Sequence, residues 1–76
     1  MTVTFFPVGI LKTYTKGADR LVLEVKEGLT LEAVCQDIGL PSKLIAVFLV
    51  NGYSKSKDYL LQPNDEVKVI ALVDGG

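Results

Sequence analysis

The sequence predicts an α+β fold, a mixed sheet of four to five strands packed on one helix. Three observations lead there. Several short stretches alternate apolar and polar residues with the period of a strand, and one stretch alone has the apolar spacing of a helix. Seventy-six residues hold a single core, and one helix covers only one face of a sheet. The apolar fraction, 49%, is that of a folded globule rather than of a disordered chain.

Residues Thr2 to Phe6 form the first strand, with Val3 and Phe5 on one face and Thr2, Thr4 and Phe6 on the other. Pro7, which has no N–H to give a ladder, ends this strand or sits at its edge. The stretch GILKTYTKGAD reads as a loop or ragged hairpin connection with its tip at Gly17-Ala18-Asp19. Arg20 to Val25 alternates again, with Leu21, Leu23 and Val25 facing one way.

The helix follows. Leu31, Val34, Cys35 and Ile38 stand at i, i+3, i+4 and i+7, one stripe of an α-helix. Thr30 is its natural N-cap, Glu32 suits the positive end of its dipole, Gly39 is placed for a left-handed C-terminal cap and Pro41 forbids continuation. At about two and a half turns it depends on packing rather than on propensity.

Ser42 to Ala46 is expected to make an irregular turn. Ile45 to Val50 is a strand that ends at Asn51-Gly52, a strong hairpin-turn signal. Both of its faces are apolar, so its phase is ambiguous. Ser54, Lys55, Ser56 and Lys57 read as a solvated polar loop. Leu60 and Leu61 make a very short strand or a buried anchor, and Pro63-Asn64-Asp65 a turn. Glu66 to Val73 is the last strand, expected beside the first, while the first two strands form a hairpin. The whole, residues 1–76, is one domain, with residues 73–76 expected to be a flexible tail.

Composition removes many function classes. The net charge is −1 and the lysines are scattered singly among acids, so a nucleic-acid partner is not expected. With one cysteine and no histidine there is no internal disulfide, no Cys-His dyad, no Ser-His-Asp triad and no ordinary zinc ligand set. The longest apolar run, Leu44 to Val50, is too short to cross a bilayer, so no membrane partner is expected. MTVTFFPVG is not a secretion signal, and the expected location is cytoplasmic.

The pieces TVTFF, VKEGLTLEAV, VNG, NDEVKV and the final DGG, in this order, resemble the ubiquitin-like β-grasp sulfur carriers. These include the molybdopterin synthase small subunit and the thiamine-biosynthesis sulfur carrier. The Phe5-Phe6 pair and the long stretch before the helix look like the molybdopterin-type branch. The resemblance implies a carrier rather than an enzyme. It implies that the Gly76 carboxylate, on a thread thinned by Gly75 and Gly76, is adenylated and converted to a thiocarboxylate that donates its sulfur. It implies no bound cofactor, with ATP used by the partner. The implied partners are a ubiquitin-activating-type adenylating enzyme and a sulfur-accepting synthase subunit. Two alternatives stay open: a ubiquitin-like modifier joined through Gly76 to lysines, and a non-covalent interaction module.

Strand phase supplies the candidate docking residues. Lys68 marks the face of the last strand turned away from the helix, which places Ile70 and Leu72 on that open face. Phe6 has the same phase in the first strand. Phe6, Ile70 and Leu72 are therefore expected to form an apolar contact patch, which Val47 and Leu49 extend if their phase allows. Cys35 lies on the helix stripe and reads as core.

Overall fold

A computed structural model of the chain describes residues 1–72. The Gly75-Gly76 end, the tail over 73–76 and the last position expected for the final strand lie outside the described residues.

Among the described residues five strands form one mixed sheet in the order β2-β1-β5-β3-β4. They are β1 (Thr2–Pro7), β2 (Leu21–Glu24), β3 (Ile45–Val50), β4 (Tyr53–Lys55) and β5 (Glu66–Ala71). β1 and β2 pair antiparallel as a hairpin, and β5 runs parallel to β1 with Phe6 beside Lys68 and Pro7 beside Val69. β3 joins the other side of β5 antiparallel. Pro7 fits at the end of a central strand because alternation turns its nitrogen toward β2, whose pairing stops at Phe5–Leu21.

One helix, α1 (Leu31–Asp37), lies on the inner face. The Thr30 hydroxyl accepts from the Ala33 N–H at 3.1 Å, as an N-cap should. At the other end Gly39 takes φ 81°, the Leu40 N–H reaches the Cys35 carbonyl, and the Gly39 N–H reaches that of Gln36. These two bonds are the Schellman closure, and they bring Leu40 down onto the helix end. Val3, Phe5, Leu31, Val34, Cys35, Leu40, Phe48, Val50, Leu61, Val67 and Val69 are all buried in one cluster.

Two sequence expectations change. GILKTYT is a 3₁₀ helix, Gly9–Thr15, rather than a loop; Leu11 is fully buried and fixes the segment to the core. The polar loop after Gly52 begins as the strand β4. Asn51 and Gly52 both adopt positive φ, 52° and 89°, the requirement of the two-residue hairpin turn. That turn folds Tyr53, Ser54 and Lys55 back onto β3 although they carry no apolar alternation. Of the two readings of Leu60 and Leu61, the buried anchor holds for Leu61, while Leu60 makes a single bridge to Thr30.

Candidate functional site

The sheet face away from α1 is built by register. Phe6, Lys68 and Leu49 stand side by side on β1, β5 and β3, and Ser54 of β4 continues the row. One step along β5, Ile70 stands opposite Val47. The ambiguous phase of β3 is resolved by an irregularity at Ala46. Ile45 pairs with Ala71 on the core side, while Val47, two residues on, pairs with Ile70 on the open side. With Phe48 and Val50 buried, Val47 and Leu49 belong to the open face.

Phe6 and Ile70 are half-buried on adjacent strands of this face. Leu72 is 64% exposed just beyond the end of β5. Its backbone is still held, because its N–H donates to the Leu44 carbonyl at 2.6 Å. A hollow of about 420 Å³ opens on the face, lined by Phe6, Leu49, Asn51, Gly52, Glu66 and Lys68. It is centred on the Phe6 row rather than on Leu72, so the structure joins Phe6 first to Leu49 and Lys68. Lys68 stands in register between the apolar Phe6 and Leu49, and a long lysine stem covers apolar surface while keeping its charge in water.

One end of the hollow is held by a polar network that periodicity does not reveal. Asp65, only 4% exposed, accepts from the Asn51 side-chain amide, the Tyr59 hydroxyl and the Gln62 N–H, each at 2.9 Å. Asn51 also accepts from the Glu66 N–H at 3.0 Å and donates its own N–H to the Glu66 carbonyl. The buried carboxylate thus has three donors, the condition under which burying it is tolerable. The network ties the β3–β4 turn, the Leu60 loop and the start of β5 into one unit. The phenol of Tyr59 is pushed up by burial and by its bond to the Asp65 carboxylate. The sequence signal was present in Asn51-Gly52 and Asn64-Asp65, which read as turns; that one turn would reach into the other did not follow from either.

Other candidates settle quietly. Cys35 is fully buried, and burial, with the Glu32 charge adding to it, pushes its thiol up to about 12. A thiol held neutral is a poor nucleophile. Lys57 pairs with Glu32 at 3.6 Å, and Lys55 stands 5.6 Å from the centre of the Tyr59 ring. No group of three or more metal-ligating side chains occurs among the described residues.

The model of the ThiS family matches residues 8–76. The chain belongs to the ThiS family. Among solved structures it is similar to SAMP1 from Haloferax volcanii, at 17% identity and a TM-score of 0.75, with 100% of each chain covered. At that identity the likeness speaks for the fold, a ubiquitin-like β-grasp. A comparison with curated proteins returned no match. As a ThiS-family chain it is a small ubiquitin-like carrier whose work is done with partner enzymes. No helix among the described residues is long and apolar enough to cross a membrane.

Proposed function

We propose that this carrier delivers sulfur as a thiocarboxylate on Gly76. The observation that carries the reading is the reach of the family match, which continues through Gly75 and Gly76. The chemistry suits the residues. A carboxylate oxygen of Gly76 attacks the α-phosphorus of ATP held by an adenylating partner, and pyrophosphate leaves. A sulfide nucleophile then adds at the carbonyl carbon and displaces AMP, leaving sulfur where oxygen was. Two glycines present no side chain to a narrow active site and give the backbone its widest choice of φ. The chain contributes no acid, base or metal, which agrees with a sequence that has no histidine.

The folded body supplies the affinity in this reading. Phe6, Ile70 and Leu72, widened by Leu49 and Val47, form the surface that docks on the adenylating enzyme and on the sulfur-accepting synthase subunit. The Phe5-Phe6 pair and the long stretch between β1 and α1 support an acceptor reaction of the molybdopterin type.

The test is intact-mass measurement after incubation with ATP, a sulfide source and the cognate adenylating enzyme. The wild-type chain is expected to gain one sulfur in place of one oxygen, and a variant with one residue added after Gly76 to gain none. A sulfur gained by the extended variant overturns the assignment to Gly76. Conjugates of high mass in a blot, without the thiocarboxylate, favour a protein modifier instead.

A further inference from the structure

Among the described residues the sheet has two free edges, β2 and β4, and the chain guards them unequally. β4 is three residues long, carries Lys55 and is followed by Lys57, and short lysine-bearing edges resist pairing. β2 reads Leu-Val-Leu-Glu, with no lysine, proline or bulge in the strand. Val22 on this edge is 62% exposed, and among the described residues no strand lies on its outer side.

The backbone of β2 fixes what it offers. The Val25 N–H donates to the Met1 carbonyl at 2.8 Å, and the Met1 nitrogen donates to the Val25 carbonyl at 2.9 Å. Antiparallel pairing alternates, so the odd positions Leu21, Leu23 and Val25 exchange bonds with β1. The N–H and C=O groups of Val22 and Glu24 therefore point outward, with no strand among the described residues to receive them.

We propose that this edge pairs with β2 of a second copy, antiparallel and centred on Val22, to make one continuous ten-stranded sheet. Backbone parity requires even residues to face even residues, which leaves a few registers, and charge selects among them. Centred on Val22, Val22 meets Val22 and Arg20 meets Glu24 twice, once on each side of the two-fold axis. Moving the centre to Leu23 sets Arg20 against Lys26, and moving it to Glu24 sets two glutamates face to face; like charges directly opposite are unfavourable. Moving the centre to Leu21 sets Val22 against Arg20 and leaves Glu24 opposite Ala18. Only the Val22 register satisfies backbone, apolar contact and charge together, and it is self-complementary as a two-fold contact must be. In the single chain the Glu24 carboxylate is held toward β1, where it accepts from the Thr2 hydroxyl and its second oxygen lies 3.8 Å from the Met1 amine; its exposed side chain must turn outward to meet Arg20 of the second copy. The pairing leaves the open face clear, so it stands independently of the sulfur-carrier reading.

The experiment is sedimentation equilibrium of the full chain over a concentration series up to about 1 mM, the weakest association such a series reads. Dimer is expected, with Glu24→Arg and Arg20→Glu each weakening it at least ~10-fold by opposing like charges, and the double swap Arg20→Glu with Glu24→Arg restoring it. Amide exchange supplies the second readout: the Val22 and Glu24 amides are expected to slow as concentration rises, and the Leu23 amide to stay unchanged. A chain monomeric throughout, or a dimer that forms without protecting Val22, overturns the proposal. So does a dimer that both single charge variants leave intact.

Discussion

At the scale of the residue, Cys35 shows how position decides chemistry. Its thiol sits on the inner stripe of α1 with no exposed surface, and the fold holds it as a neutral thiol well above its ordinary value. Cys35→Ser places a hydroxyl in the same apolar surroundings. The expected cost is about 1–3 kcal/mol, that of burying a polar group without a partner, with sulfur transfer intact. Denaturant melts and the mass assay on the same sample check both halves. The pH dependence has a definite sign. The unfolded thiol ionises near its ordinary 9.0 while the folded one waits until about 12, so across that window the unfolded state binds fewer protons and the wild type loses stability. Serine does not titrate there, and the gap between wild type and Cys35→Ser should narrow as pH rises from 9.0 toward 12. A variant fully stable yet unable to transfer sulfur would reverse the role given to this residue. Cys35 was legible in the sequence because one periodicity governs it. Asp65 was not, because its burial depends on three donors from separate segments meeting at one point.

At the scale of the element, local chemistry and topology contribute differently. α1 has seven residues, fewer than an isolated helix needs for stability in water, so its ends and its packing sustain it. Thr30→Ala removes the acceptor of the Ala33 N–H and should cost about 1 kcal/mol. Thr30→Ser should retain most of that. Urea melts of the two variants decide between the cap and mere loss of a methyl group: equal losses would remove the cap from the account. The ends of α1 were readable because Thr30, Gly39 and Pro41 each act within one turn of the chain. β4 was not readable, since Tyr53-Ser54-Lys55 has no strand pattern of its own and is drawn into the sheet by the positive φ of Asn51 and Gly52. The 3₁₀ segment Gly9–Thr15 escaped for a related reason. Leu11 is its one buried residue, and one buried residue makes no period.

At the scale of the whole molecule, the parallel pairing of β1 with β5 is what gathers Phe6, Lys68 and Ile70 on one face. Adjacency of these two strands was expected from compactness; the direction and register came from the fold. Leu72 is the last described residue, its N–H bonded to Leu44 and its side chain 64% exposed. An extended chain advances at most ~3.6 Å per residue, so four further residues carry Gly76 up to roughly 14 Å beyond a body docked at Leu72. Such a reach suits a reactive end threaded into a partner's channel while the open face remains seated outside. In the proposed sulfur-carrier reading the two glycines add almost no contact area and the apolar side chains of the body supply the affinity, where loss of a central anchor typically costs about 2 kcal/mol or more. Leu72→Asp is therefore expected to weaken binding to the adenylating enzyme at least tenfold, the equivalent of about 1.4 kcal/mol. Its melting temperature should stay near that of the wild type, because an exposed side chain contributes little to the core. Phe6→Ala serves as the companion, a half-buried neighbour of the hollow whose loss should weaken binding and also lower the melting temperature. Calorimetric titration and thermal melts of both variants separate the cases. Unchanged binding by a folded Leu72→Asp removes the strand's end from the docking surface, and a collapsed melt would show that this side chain belongs to the core.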